Sequence, residues 1–231
     1  MIAAIGWGAL AASSLVIGML LGLARPWPDR LVGLVLAFGA GALISAVSFD
    51  LAQEGAQLGG PGTVAIGLAV GAVTYYVADR AVEKAGSDAG PGLALGAFLD
   101  GIPEQLVLGL GLAAGDGVGV GLLAAIFVSN LPEAIGSATA MRAAGTRPAA
   151  IRRLWILIAV GCMLATPAGF ALADMTGGDL QAGIDGFAAG ALLVMLIDSM
   201  IPEAARKSGR AGGLVTVLGF AVAAALSGVL A

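Results

Sequence analysis

Every basic residue in this chain lies at a break between apolar runs, and only at alternate breaks. Eight apolar runs occupy residues 3–24, 31–54, 62–81, 92–114, 118–141, 153–174, 182–205 and 212–230. Each approaches the roughly 20 residues that cross about 30 Å of hydrocarbon. The breaks carry turn chemistry: RPWPDR, GGPG, SDAGPG, AGDG, RAAGTRP, TGGD and KSGRAGG. Arg25 and Arg30 flank the first break, and Arg80 and Lys84 lie at the third. Arg142, Arg147, Arg152 and Arg153 surround the fifth. Arg206, Lys207 and Arg210 mark the seventh. These are all eleven Lys and Arg residues; the second, fourth and sixth breaks have none. The positive-inside rule then places the odd breaks in the cytoplasm and both termini outside, in a multi-pass protein of the cell membrane.

Composition agrees. The chain is 59% hydrophobic and 11% charged, whereas a soluble domain carries about 25% charged residues. No polar stretch is long enough for a soluble domain, so residues 1–231 read as one all-α transmembrane domain of eight helices. Its partner is the lipid bilayer, no nucleic acid is expected, and a homodimer is left open. The first run lacks the basic start of a signal peptide and reads as a helix that is kept. The 38 glycines suit membrane helices that pack backbone to backbone. Cys162 is the only cysteine, so no intrachain disulfide forms. It reads as a small core residue.

An internal echo supplies topology. AGALISAVSFDLAQE at 40–54 resembles AGALLVMLIDSMIPE at 189–203, at an offset of 149 residues. The same offset carries helices 1–3 onto helices 6–8, with opposite orientation. The expected architecture is a 3+2+3 bundle, an inverted repeat around helices 4 and 5. Transporters recurrently use such repeats, with the binding site near the midplane.

Seven acids fall inside the apolar runs: Asp50, Glu54, Asp100, Glu104, Glu133, Asp198 and Glu203; Glu54 and Glu203 are expected nearest the interfaces, with Glu203 either an auxiliary ligand or a solvated helix end beside Arg206. A lipid-facing charge at mid-membrane costs at least about 2.5–3.5 kcal/mol, so they are expected to face the bundle interior. There they should meet no cationic partner, because the Lys and Arg residues sit at the breaks and the chain has no histidine. Protons or bound cations must neutralise them. By contrast Asp79, Glu83, Asp88, Asp116, Asp174, Asp179 and Asp185 lie near the breaks and are expected to be solvated.

Asp100 and Glu104 are spaced i, i+4 and share a helix face. Asn130 and Glu133, spaced i, i+3, share another, with Ser129 beside them. Facing each other, they form a set of carboxylate, amide and hydroxyl oxygens that suits divalent cations. Pro103, Pro132 and Pro202 each precede or adjoin this chemistry in the motifs LDGIPEQ, SNLPEAI and DSMIPEA. A proline has no N–H for the carbonyl four residues earlier. The carbonyls of Leu99, Val128 and Asp198 are therefore expected to be free to help hold a cation. Asp50, Asp198 and Glu203 are further auxiliary candidates.

DGIPEQLVLG and SNLPEAIGSA resemble the paired motifs of the ZIP (Zrt/Irt-like) family of divalent metal transporters. DSMIPEAARKSG resembles the family's IPEA ending before the last helix. The resemblance implies a metal site between helices 4 and 5 and movement of zinc, iron or manganese toward the cytoplasm. It implies that Glu104 and Glu133 hold the metal. Asp100 stands where the family usually has histidine, Gly101 where it often has asparagine, Asn130 where Asn or Asp is usual, and Ser129 where His or Gln is common. Gln105 and Ala134 replace a usual glycine. Losing histidine removes nitrogen ligands that favour zinc over harder ions. The histidine-rich loop common between helices 3 and 4 is also missing here.

The expected function is transport of divalent metal cations, with Asp100, Glu104, Asn130 and Glu133 as ligands and the metal as cargo rather than cofactor. No P-loop GxxxxGK[ST] occurs, so transport is expected to be passive or ion-coupled. The alternatives are a proton-linked carrier of other cargo, or metal binding without transport. An intramembrane hydrolase is disfavoured, because neither an HExxH motif nor a Gly-Asp dyad pattern is present.

Overall fold

The computed structural model describes residues 1–84, 91–113, 120–174 and 177–230. Among these residues the chain is all-helical, with no strand. It forms eight helical rods: α1 Ile2–Ala24, α2 Asp29–Gly59, α3 Pro61–Lys84, α4 Pro91–Ala113, α5 Val120–Ala143, α6 Pro148–Asp174, α7 Gly178–Ser208 and α8 Ala211–Leu230. Six of them (α1, α2, α3, α5, α6 and α7) are long and apolar enough to cross a membrane. The chain is therefore a multi-pass membrane protein. The SDAGPG and AGDG breaks lie largely outside the described residues.

An apolar segment in lipid must satisfy its own backbone, and the helix does so internally. Pro61, Pro91 and Pro148 open α3, α4 and α6, where a missing N–H loses no hydrogen bond. Gly60 and Gly209, with φ of 82° and 62°, stand just beyond α2 and α7, a conformation that side chains with a Cβ rarely adopt.

The sequence places α2 at 31–54, α6 from 153 and α7 at 182–205, but the helices run further. Polar flanks do not stop a helix whose hydrogen bonds are internal; the positive-φ glycines do. α2 and α7 are each 31 residues long, about 46 Å at ~1.5 Å per residue. That exceeds the roughly 30 Å of hydrocarbon that a helix must cross.

The offset of 149 recurs in the structure. α2 and α7 begin at 29 and 178 and end at 59 and 208. Each contains one π-helical stretch, Val47–Gln53 and Leu196–Met200, beginning at corresponding positions. Gly60 and Gly209 also correspond. Pro202 is expected to break α7 on its own account, but α2 makes its π turn with Gln53 at the corresponding position. The turn belongs to both helices, with or without proline. Packing follows the same exchange. α3 lies along α7 as α8 lies along α2, and α4 along α6 as α5 along α1. α2 meets α5 as α7 meets α4, α8 meets α5 as α3 meets α4, and α1 meets α4 as α6 meets α5.

Glycine makes these contacts close. A Cβ on Gly41 would lie 1.8 Å from the Thr216 carbonyl oxygen, and one on Gly190 would lie 2.0 Å from that of Leu68. Without a hydrophobic driving force between helices in lipid, such backbone approach supplies the packing energy. One apolar core joins α2, α5 and α7 through residues such as Leu43, Ile126 and Leu192. A second joins α1, α5 and α6 through Leu15, Met141 and Trp155, and it includes Cys162 as expected.

Candidate cation site between α4 and α5

Pro103 lies inside α4 and Pro132 inside α5, and the two helices pack against each other. Asp100, Glu104, Ser129 and Asn130 are all buried, with Glu104 and Asn130 each 1% exposed. Glu133, one turn beyond Asn130, is half-buried. Contacts join these residues in pairs, Ser129 with Glu104 and Asp100 with Glu133.

Ser129 Oγ lies 3.1 Å from Glu104 Oε1 and 3.0 Å from the Ile126 carbonyl oxygen. Tyr75, on α3 and 4% exposed, donates its hydroxyl to Asp100 Oδ1. Asp100 also faces Glu133 across the helix pair. Two groups stand apart from these hydrogen bonds. Glu104 Oε2 and both polar atoms of the Asn130 side chain are buried without a partner. A buried, unpartnered polar group costs about 1–3 kcal/mol, and more if it is charged. None of the three carboxylates forms a salt bridge among the described residues.

Oxygen donors therefore converge, with bare atoms on Glu104 and Asn130. Among the described residues no three Asp, Glu, Cys or His side chains gather closely enough to cage a metal ion by themselves. Any cation here would depend on the amide of Asn130 and the hydroxyl of Ser129 as well as on carboxylates. Leu99 and Val128, half-buried, carry the carbonyls that Pro103 and Pro132 cannot serve. Behind α4, the Cys162 sulfur of α6 lies 2.7 Å from where a Cβ on Gly101 would stand. Glycine at 101 makes room for that thiol beside Asp100. Next along α4, Gln105 accepts from Thr166 Oγ1 at 2.5 Å, and its own Nε2 is buried without a partner.

Other acids depart from expectation. Asp198 does not face the interior: it is exposed, on the side of α7 next to Ala72 and Tyr76 of α3. Glu203 takes the helix-end alternative, but its cation is Lys207, at 2.5 Å, rather than Arg206. The i, i+4 spacing permits this, and the lysine stem can reach back along the helix. A Cβ on Gly136 would lie 3.4 Å from Lys207 Nζ, so the pair stands over α5, one turn beyond Glu133. Asp50 is half-buried on α2 and accepts from Ser227 of α8, apart from the cluster. Asp185, expected to be solvated, is 4% exposed and accepts from Gln181 Nε2 at 2.9 Å. Because α7 starts at Gly178, Asp185 falls within the rod against Gly55 of α2.

Tyr75 is the residue beside Asp100 that motif reading passes over. Its signal is a phenol in the middle of an apolar helix, which needs a hydrogen-bond partner when buried. No protein-family model matches the chain, and no curated protein matches it.

Proposed function

We propose that this protein carries divalent metal cations of the zinc, iron or manganese class across the membrane, toward the cytoplasm, as the resemblance to ZIP transporters implies. The observation that carries the reading is the buried Glu104 carboxylate, whose Oε2 lacks a hydrogen bond, beside the Asn130 amide and near Asp100. Clustered intramembrane acids without basic partners mark a cation or proton path. A divalent cation would neutralise Glu104 and Glu133 together, with Asn130 and Ser129 as neutral ligands and Asp100 flanking.

Eight crossings with both termini outside fit the charge pattern. The paired landmarks of α2 and α7, and the exchange of packing partners, support a 3+2+3 inverted repeat. In that frame Glu133 is the cluster's acid nearest the cytoplasm, and the Glu203–Lys207 pair lies beyond it on that side. Alternating access would move this cover and open the opposite side in turn.

A second reading has one observation in its favour. Asp100 and Glu133 already face each other, and no ready three-acid cage is present; a proton-linked carrier of other cargo needs nothing more. Purified protein in liposomes, offered a panel of zinc, iron, manganese and cadmium, separates the two. Accumulation of at least one divalent ion supports metal transport. Proton movement with no metal accumulation supports the alternative.

A further inference from the structure

The correspondence between the two halves has an exception on the outer face of the bundle. On α2 and α8, Phe49 sets its ring against Phe220, with centroids 5.9 Å apart. Phe49 corresponds to Asp198 of α7. A Cβ on Gly219 would meet the Phe38 carbonyl, and one on Gly71 would meet the Phe187 carbonyl. Gly219 therefore corresponds to Gly71, and Phe220 to Ala72. The aromatic pair of one half is an aspartate and an alanine in the other. What remains between α3 and α7 is an open groove of about 420 Å³, whose walls include Leu68, Ala72, Tyr76, Leu193, Val194 and Asp198.

The groove runs along two parallel helices. Cβ atoms on Gly186 and Gly190 would meet the carbonyls of Val64 and Leu68, so both helices advance together. Continuing that register brings Asp198 to the turn that holds Tyr76 and Arg80. The Arg80 guanidinium lies over the Tyr76 ring, 4.7 Å from its centroid. The groove thus has apolar walls and one charged end. Asp198 and Arg80 are both exposed there, and neither forms a salt bridge among the described residues.

A bare carboxylate on the outer face of a membrane span is costly. α3 is the least buried of the six long spans, so this face meets lipid. An acyl chain fills an apolar groove, and the charged end decides which headgroup can sit above it. A purely anionic headgroup would be repelled by Asp198, and a purely cationic one by Arg80. A headgroup with a phosphate and a primary ammonium matches both charges. Such an ammonium donates charge-assisted hydrogen bonds to a carboxylate, whereas a quaternary ammonium has no N–H to donate.

We propose that the α3–α7 groove binds a zwitterionic phospholipid with a primary ammonium headgroup: an acyl chain lies between Leu68 and Val194, the ammonium meets Asp198 and the phosphate meets Arg80. In the orientation given above, this is a lipid of the cytoplasmic leaflet. Only the membrane character of the chain is needed, not its cargo. The competing occupant is a second copy of the chain, which would bury Asp198 in a dimer.

Native mass spectrometry of the full chain, released from detergent, measures binding of phosphatidylethanolamine, phosphatidylcholine and phosphatidylglycerol with identical acyl chains. Light scattering in parallel gives the oligomeric state. The variants are Asp198→Asn, Arg80→Gln and Ala72→Phe. Wild type should bind one phosphatidylethanolamine about fivefold more tightly than either other lipid, the size of a partly exposed ion pair. Asp198→Asn should bring phosphatidylethanolamine and phosphatidylcholine within about twofold of each other, since it removes that pair. Arg80→Gln should weaken all three lipids, which share the phosphate. Ala72→Phe refills the groove as Phe220 does in the other half, and it should also weaken all three; if it does not fold, Asp198→Asn decides. The proposal is overturned if wild type shows no preference for phosphatidylethanolamine, or if the preference survives in Asp198→Asn. Should Asp198→Asn instead turn a dimer into a monomer with lipid preference unchanged, the groove is an interface between copies and the proposal also falls.

Discussion

Ser129 Oγ stands 3.1 Å from Glu104 Oε1, and the other oxygen of that carboxylate has no partner. One oxygen is held by the serine hydroxyl and the other is buried without a hydrogen bond. Ser129 belongs to α5 and Glu104 to α4, so the contact also fixes how the two proline-containing helices face each other.

Removing that hydroxyl should loosen the site without destroying it. For Ser129→Ala, cation binding is expected to weaken about fivefold, the equivalent of one neutral hydrogen bond of ~1 kcal/mol. Calorimetry against wild type measures it. An unchanged affinity would mean that Ser129 does not orient Glu104.

Helix approach at the repeated glycines gives a stability prediction. Gly41→Ala and Gly190→Ala would each drive a methyl into a backbone carbonyl, whereas Gly6 has nothing within 4 Å. Both interface variants should lose several kcal/mol or fail to fold, as overpacking of a tight contact does. Gly6→Ala should be near neutral. Thermal unfolding in detergent, followed by size-exclusion chromatography, checks the contrast. Equal behaviour of all three would contradict the packing described for α2 with α8 and α7 with α3.

Acid should weaken metal binding. The proposed ligands include carboxylates, and a metal must displace whatever protons they carry. Falling pH puts more protons on Glu104 and Glu133, so apparent affinity should decline between pH 8 and pH 5.5, with protons released on binding. Calorimetry in buffers of different ionisation enthalpy counts those protons. PH-independent binding would argue against a carboxylate site.

Topology offers an independent check. A reporter that fluoresces only in the cytoplasm, fused after Ala231, should stay dark, while one inserted in the fifth break near Arg147 should be bright. The reverse pattern in intact protein would overturn the orientation.

Much of this was legible in the sequence, for identifiable reasons. The apolar runs dictate helices, because lipid leaves the backbone few other solutions. The echo between 40–54 and 189–203 anticipates the corresponding π turns and glycine ends of α2 and α7. The i, i+4 and i, i+3 spacings anticipate that Asp100, Glu104, Asn130 and Glu133 meet. Side-chain environment was harder to read. Asp198 and Asp185 exchange their expected places, outside and inside, because the register of α7 depends on where it begins and on its π turn. Lys207 was assigned to a connection, but a helix that runs on to Ser208 brings it back to Glu203. Tyr75 lies far from both motifs in sequence, and only the packing of α3 beside α4 brings it to Asp100.

The most direct test of the central claim is metal uptake into liposomes, paired with calorimetric binding, for Glu104→Ala, Glu133→Ala and Glu203→Ala. The account predicts that the first two abolish both binding and uptake while the proteins remain folded in the membrane. Glu203→Ala removes only a partly solvated ion pair, worth up to about 1 kcal/mol, and should keep metal affinity within about fivefold. If Glu104→Ala and Glu133→Ala bind and transport metal like wild type, the Pro-Glu motifs are structural kinks and the cation passes elsewhere.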